Sequence, residues 1–235
     1  MYTKILDFKI FNKGMEDLLV EISGRDKVNI VSGNPEILYY ALNNKELKNI
    51  VNSEHSLLIP DGVGTVLASK CVKNQVKERI PGIEVMKKII EMAVIENKSV
   101  YFLGAREEVV NACVDNIQRD YPKLKIAGKH NGFFDLDNCD DIIEDIKKNN
   151  PWAIFVATGS PKQEKFIEEH FNELPCKIYM GVGGSFDIYS GTLKRAPKWM
   201  RKIGLEWLYR TLKEPRRIKR LVVIPKFLWI VFKGK

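Results

Sequence analysis

The residues LLIPDGVGTVLA, Leu57 to Ala68, set one carboxylate and two glycines between two apolar runs. A plain turn needs no acid there. A carboxylate at a strand end, flanked by glycines that keep bulk out of its way, can approach a bound hydroxyl and take its proton. Asp61 is therefore a candidate general base, with Gly62 beside it. The same pattern fits a turn aspartate that caps the next helix through its side-chain oxygen, and local preference alone favours the cap. SGNPE, 32–36, carries the same ambiguity. Ser32 and Asn34 fall at a strand end, where they can meet a polar ligand, yet Asn34 before Pro35 also suits a helix start. In ERIPGIE, 78–84, Arg79 precedes a Pro-Gly turn. Its fixed charge there can contact an oxyanion or position a base; a solvated arginine is the plainer reading.

Two further loops carry small residues and free backbone N–H groups, TGSPKQE (158–164) and GVGGSFD (181–187). Such loops between strand and helix suit a diphosphate. Neither is a P-loop, and the GVGGSF string lacks the third glycine of the dinucleotide fingerprint, which weakens a nicotinamide reading. DLD, 135–137, is a D-x-D triplet of the kind that holds metal in some nucleotide-sugar enzymes. Here it precedes DDIIEDIKK, where acids at a helix start are favoured by the dipole, and no metal is expected. His55, His130 and His170 lack ligand spacing, and no G-x-S-x-G elbow occurs.

The elements that must position these residues alternate along the chain. VNIVSG (28–33), SLLIP (56–60), SVYFLG (99–104), LKIAG (124–128), PWAIFVATG (151–159) and CKIYMGVGG (176–184) read as strands. Between them run helical stretches from Pro35 through Tyr40, at 63–72, at 83–96, through REEVVNACVDNIQRDYP, at 140–150 and at 161–171. In the 83–96 helix, Val85, Ile89, Met92 and Ile95 are expected along one side. Apolar strands separated by helices predict an α/β, Rossmann-like, mostly parallel sheet with helices on both faces. In such sheets ligands bind beyond the carboxyl ends of the strands, where Asp61, Gly104, Thr158 to Gln163 and Gly181 to Asp187 fall.

The chain of 235 residues carries a formal charge of +8, unevenly spread. From Lys194 to Lys235, 14 Lys and Arg against Glu206 and Glu214 give +12; the other residues hold 24 basic and 28 acidic side chains, or −4. A mildly acidic body with a basic end points to a polyanionic partner, either a nucleic acid or an anionic membrane. The sequence divides into a 1–195 α/β catalytic domain and a 196–235 basic, amphipathic, helical, membrane-associating appendage. Within the appendage a helix is expected to begin at Ala196-Pro197 and to carry Trp199, Ile203 and Trp207 at i, i+4 and i+8. RRIKR (216–220) then precedes the apolar LVVIPKFLWIVF (221–232), which as a helix reaches ~18 Å and cannot cross a ~30 Å hydrocarbon core. It suits a membrane interface. A duplex-binding module would use RRIKR on phosphates but leaves that apolar run without a role. The N-terminal MYTKILDFKIFNKG has no long apolar stretch and reads as no signal peptide. Four dispersed cysteines without a C-x-x-C pair fit a reducing cytoplasm better than a disulfide framework.

Taken in order, NPE, PDGVGTVLASK, ERIPGIEV, YFLGA, ATGSPKQEKFI, GVGGSFDIYSGTLKRAP and GLEWLYRTLKEPRRIKR resemble the WecG/TagA/CpsF family, glycosyltransferase family 26, over nearly the whole chain. These are bacterial enzymes of wall teichoic acid, enterobacterial common antigen and capsule synthesis. The resemblance implies an inverting transfer, without metal or other cofactor, from a UDP-sugar donor, typically of N-acetylmannosamine or its uronic acid. The implied acceptor is N-acetylglucosamine linked through diphosphate to undecaprenol, on the cytoplasmic face of the membrane. It gives Asp61 as catalytic base, with Gln163 of the PKQE block and Arg79 as its companions, and Asn34 as the asparagine of the sugar-binding loop. Ser32 stands where many members have threonine, which keeps the hydroxyl. Donors for the diphosphate are then sought at the helix starts after Gly104, Ser160 and Gly184 and in the tail arginines Arg210, Arg217 and Arg220, with Gly62, Gly183, Ser185 and Asp187 as further substrate-binding residues. Nucleic acid is not an expected partner. A tail buried on the body or on a bilayer leaves both a monomer and a homo-oligomer open.

Overall fold

A computed structural model describes residues 1–72, 74–202, 204–213 and 222–234, the side chains of Lys202, Arg210 and Lys213 excepted. Its eight strands are β1 (Tyr2–Ile5), β2 (Phe8–Phe11), β3 (Val28–Ser32), β4 (Ser56–Ile59), β5 (Ser99–Gly104), β6 (Lys125–His130), β7 (Ala153–Ala157) and β8 (Ile178–Gly181). They follow one another in one sheet as β1-β2-β4-β3-β8-β7-β5-β6. β1 pairs with β2 antiparallel, while β2 with β4, β3 with β8, and β8, β7, β5 and β6 in succession are parallel. The α/β class and mostly parallel sheet expected from the sequence are present. The N-terminal hairpin was not anticipated: YTKI and FKIF are short and straddle Leu6, whose φ is 52°.

The chain clusters into two compact units. One comprises Leu19–Val31 and Gly82–Lys194. Its helices are α5 (Gly82–Ile95), α6 (Glu107–Asp120), α7 (Asp140–Asn149), α8 (Lys162–His170) and α9 (Ser185–Tyr189). Alternation along the strands sorts their side chains to two faces. Tyr101, Leu103, Ile154, Val156 and Tyr179 pack with Ile142, Ile143 and Ile146 of α7 and Phe166 and Ile167 of α8. On the other face Phe102 meets Phe155 and Phe186, with ring centroids 5.7 and 5.8 Å apart. Tyr101 also donates to Asp145 at 2.7 Å, and burial with that carboxylate pushes its phenol well above the ordinary range.

In α5 the buried stripe is Val85, Met86, Ile89, Ile90 and Ala93, whereas Ile95 is 82% exposed. At 100° per residue, positions 85, 89, 93, 86 and 90 occupy one arc and Ile95 falls outside it. The expected stripe was therefore rotated too far toward Met92 and Ile95.

The other unit comprises Met1–Leu18, Ser32–Pro81 and Arg195–Lys235, so the C-terminal segment clusters with the N-terminal strands. Helix α1 (Met15–Ser23) runs from this unit into the other. Here lie α2 (Pro35–Asn43), α3 (Lys45–Val51), α4 (Val63–Ser69), α10 (Lys198–Lys202), α11 (Glu206–Lys213) and α12 (Val223–Lys233). The expected continuous helix through Trp199 and Trp207 is two helices instead. Gly204 interrupts it at φ +77°, where a Cβ would stand 2.9 Å from Val63 Cβ; Ile203 lies outside the described residues. A continuous α-helix has no place for that φ, and the close approach to α4 leaves no room for a side chain. Helix α12 packs against α2 and α4, burying Val223, Phe227 and Val231. Among the described residues no helix is long and apolar enough to cross a membrane.

Candidate active site

Strand β4 delivers Asp61 into a turn closed by backbone hydrogen bonds. Gly33 N–H donates to the Ile59 carbonyl at 2.9 Å, Asp61 N–H to the same carbonyl at 2.8 Å, and Ile80 N–H to the Pro60 carbonyl at 3.0 Å. The two carbonyls before the acid are thus engaged from two sides, which fixes its backbone. Gly62 follows at φ +84°, a conformation that side chains disfavour, and Gly62 rather than Asp61 is the N-cap of α4. The capping position favoured by local preference therefore falls one residue later. Asp61 itself is half-buried.

Close packing around this turn explains its other small residues. A Cβ on Gly64 would sit 2.4 Å from Pro35 Cγ, and one on Gly33 would sit 2.9 Å from the Ile59 carbonyl oxygen. The buried hydroxyl of Thr65 donates to the Gly33 carbonyl at 2.7 Å, tying α4 to the Ser32–Pro35 turn. Ser32 is half-buried at the end of β3. Asn34 caps α2, its Oδ1 accepting from Glu36 N–H at 3.0 Å and Ile37 N–H at 3.1 Å. That is the helix-start alternative realised, and it leaves the Asn34 Nδ2 group as the part that a ligand can use.

Arg79 is held from both ends of its segment. Lys77 N–H donates to Asn12 Oδ1 at 2.8 Å, and Asn12 Nδ2 to Asn74 Oδ1 at 2.9 Å, so the unanticipated hairpin anchors the approach to Arg79. The guanidinium donates through Nη2 to the Arg201 carbonyl at 3.0 Å, which places it against α10. Nearby in sequence, Arg195 and Glu206 form an ion pair at 3.5 Å with both side chains largely buried. Neither residue stood out in the sequence. Arg210 belongs to α11 by its backbone; its side chain, and the whole of Arg217 and Arg220, lie outside the described residues.

The second set of expected residues lies at the carboxyl ends of β5, β7 and β8. Gly104 has φ +132°, and a Cβ on it would come within 2.5 Å of the Ala157 backbone. Ala105 N–H donates to the Ala157 carbonyl at 3.0 Å, and Gly132 N–H to the Ala105 carbonyl at 2.8 Å, so the strand ends are laced together. Gln163 is buried in the first turn of α8. Its Oε1 accepts from Gly183 N–H at 3.2 Å and its Nε2 donates to Glu164 Oε1 at 2.7 Å. Where a Cβ on Gly183 would stand, no atom lies within 4 Å, so this turn borders open space. Thr158 Oγ1 is buried without a hydrogen-bond partner among the described residues.

Gly184 is the N-cap of α9, Ser185 is buried, and Asp187 is half-buried. Asp187 acts on the buried thiol of Cys113 in α6: desolvation first, then this carboxylate, pushes that thiol up to about 12. The structure therefore gives Asp187 a neighbour on α6 that the sequence did not suggest. Asp135 and Asp137 of the D-x-D triplet are exposed, and Asp137 N–H donates to Asp135 Oδ1 at 3.3 Å, a local turn. All four cysteines are free.

Acids, amides and glycine turns thus stand at the strand ends of a mostly parallel α/β sheet, where such sheets bind ligands. The profile of the glycosyl transferase WecG/TagA/CpsF family matches residues 3–235, and the chain belongs to that family. It is 38% identical over 200 residues to the N-acetylglucosaminyldiphosphoundecaprenol N-acetyl-beta-D-mannosaminyltransferase of Bacillus subtilis (strain 168), covering 85% of this chain and 77% of the relative. With the protein of the same name from Staphylococcus aureus (strain MW2) it shares 40% over 206 residues, 88% of this chain and 80% of the relative. The chain is thus a glycosyltransferase, and the nucleic-acid reading has no support among these matches.

Proposed function

We propose that this glycosyltransferase moves an N-acetylmannosaminyl or related hexosyl group from a UDP donor to N-acetylglucosamine carried on undecaprenyl diphosphate, in teichoic acid or capsule-type polymer synthesis. The observation that carries this reading is the 40% identity over 206 residues to a relative named for that acceptor and that sugar. Asp61 is the base. Its carboxylate takes the proton of the acceptor hydroxyl as that oxygen bonds to the anomeric carbon and the bond from carbon to the UDP oxygen breaks. One displacement inverts the anomeric centre. The fixed backbone around Asp61 favours this role, because a base that is already in place spends no further ordering at the reaction.

Negative charge grows on the departing diphosphate and needs fixed donors. Gln163, Arg79 and the backbone groups of Gly104, Gly183 and Gly184 are the residues proposed for binding and charge stabilisation, with Ser32, Asn34, Gly62, Ser185 and Asp187 as further substrate contacts. Arg210, Arg217 and Arg220 complete that set by sequence position, and the reaction is proposed to need no metal.

The test is a panel of UDP-sugars with a synthetic lipid-diphosphate-GlcNAc acceptor, read by mass spectrometry of the product, with and without EDTA. UDP-N-acetylmannosamine is expected to give a single added hexosamine whether or not EDTA is present. Asp61→Asn is expected to lose roughly 100-fold or more in turnover while UDP still raises its Tm, the scale set by removal of a general base. Turnover near wild type in Asp61→Asn removes the acid from its role, and activity lost in EDTA and restored by Mg²⁺ revives the acidic triplet as a metal site.

A further inference from the structure

Gln163 and Glu164 are consecutive residues in the first turn of α8, yet their side chains are hydrogen-bonded to each other. Glu164 is 3% exposed, a degree of burial that carboxylates seldom reach without a specific partner. A carboxamide has two ends of opposite character, an oxygen that accepts and an NH2 that donates. At Gln163 the two ends face groups that are not interchangeable. The Gly183 N–H can only donate, so the end beside it must be Oε1; the other end, facing Glu164 Oε1 at 2.7 Å, must then be NH2. Rotating the amide by half a turn would set donor against donor at Gly183 and acceptor against acceptor at Glu164. One hydrogen of Nε2 is taken by the carboxylate, and the second is left to donate elsewhere.

We infer that Glu164 is a positioning residue: it locks the Gln163 carboxamide in one orientation, so that an N–H rather than a C=O is offered to an oxygen of the substrate. The inference rests on the reading of Gln163 as a substrate-contacting residue. A glutamine whose amide flips freely offers a phosphate or sugar oxygen a repelling C=O for part of the time; one braced at both ends does not. Gly181 belongs to the same device, because a side chain there would occupy the space of the carboxamide, with a Cβ 2.6 Å from Nε2. The burial of Glu164 then has a use beyond packing.

The experiment is a double-mutant cycle read alongside the side-chain amide resonances of Gln163, on the full chain. Glu164→Ala and Gln163→Ala are each expected to lower kcat for sugar transfer roughly tenfold, the coupling usual within one hydrogen-bonded pair. The double variant is expected to be no worse than Gln163→Ala. Glu164→Gln, which still presents an accepting oxygen, should recover most of the loss seen in Glu164→Ala. In glutamine-15N-labelled protein, the Gln163 pair is assigned by its disappearance in Gln163→Ala. One of its protons should lie downfield through the 2.7 Å contact with Glu164 and move upfield in Glu164→Gln. Multiplying losses in the cycle, or Gln163 amide protons that stay in place in Glu164→Gln, overturn the inference. If wild-type protein transfers no sugar from any donor, the proposed function fails, and the amide resonances alone decide whether Glu164 orients Gln163.

Discussion

A Cβ on Gly181 would meet Nε2, Cδ and Cγ of Gln163 at 2.6, 2.9 and 3.2 Å. These are atoms of a long side chain that can swing away, so the fold can tolerate a methyl group where the carboxamide cannot. At Gly104 the obstacle is different: a Cβ would stand 2.5 to 2.7 Å from C, Cα and N of Ala157, at a φ of +132°. Backbone in a central strand has nowhere to go. The two glycines therefore separate stability from activity. Gly181→Ala is expected to shift Tm by no more than ~4 °C, about the effect of 1 kcal/mol in a chain of this size. Its turnover is expected to fall roughly tenfold, the loss assigned to a misplaced Gln163. Gly104→Ala is expected to lower Tm by more than that and to reduce the folded yield. Thermal melts and transfer rates on the two variants check this, and a Gly181→Ala protein with wild-type turnover argues against a placed carboxamide.

At the level of elements, the ends of β5 and β6 show how much the sequence could disclose. Apolar strands and helical periodicity gave the sheet class and most of its members. They missed what depends on an approach in space: the hairpin at β1 and β2, the break at Gly204 against Val63, and the rotation of α5 away from Ile95. Among the candidate site residues, Asp61 and Arg79 stood out by type and position and Gln163 through the family resemblance; the bond from Gln163 to Glu164 did not, because the two are adjacent on a helix, and neighbours one residue apart do not usually face each other. Beyond β5 lies another contact of this kind. Asn131 after β6 donates through Nδ2 to Glu107 Oε2 at 2.8 Å in the first turn of α6, and Asn131 Oδ1 accepts from Phe133 N–H at 2.9 Å. Hydrogen bonds from Asn131 first, then Asn111, hold the Glu107 carboxyl below its ordinary 4.5. A carboxylate with a lowered folded value stabilises above its unfolded value, and this contribution fades as pH falls through the folded one. Asn131→Ala should therefore cost stability near neutral pH, and the pH-dependent part of that cost should disappear once the pH is well below 4.5. The Glu107 carboxyl resonance should titrate at higher pH in the variant; an unchanged titration removes Asn131 as its main partner.

For the molecule as a whole, the governing feature is the split between a −4 body and a +12 C-terminal segment. Helix α12 spends one face on the fold, burying Val223, Phe227 and Val231, and turns another outward with Trp229 59% and Phe232 62% exposed. Lys226 and Lys233 are exposed on the same helix, Lys233 Nζ lying 4.9 Å from the Trp229 ring centroid. Exposed Trp and Phe beside lysines suit the headgroup level of a bilayer. The acceptor proposed above is carried on a polyprenyl lipid and gives such a surface its use, so we propose that α12 rests on the membrane by this face. Truncating the segment would also remove the buried Phe227, so the informative change is Trp229→Ala with Phe232→Ala, which leaves that packing in place. Each aromatic withdrawn from water contributes about 1.5–3 kcal/mol at full burial, and each nearby Lys or Arg about 1 kcal/mol on an anionic surface. Flotation with phosphatidylglycerol vesicles is therefore expected to show binding that weakens roughly tenfold or more in the double variant and weakens again as salt rises. Neutral vesicles should hold the protein less well, because the charge attraction is gone while the aromatic contribution persists. Equal flotation of wild type and double variant, at unchanged Tm, would leave the exposed face of α12 without a membrane role and return the attraction to charge alone.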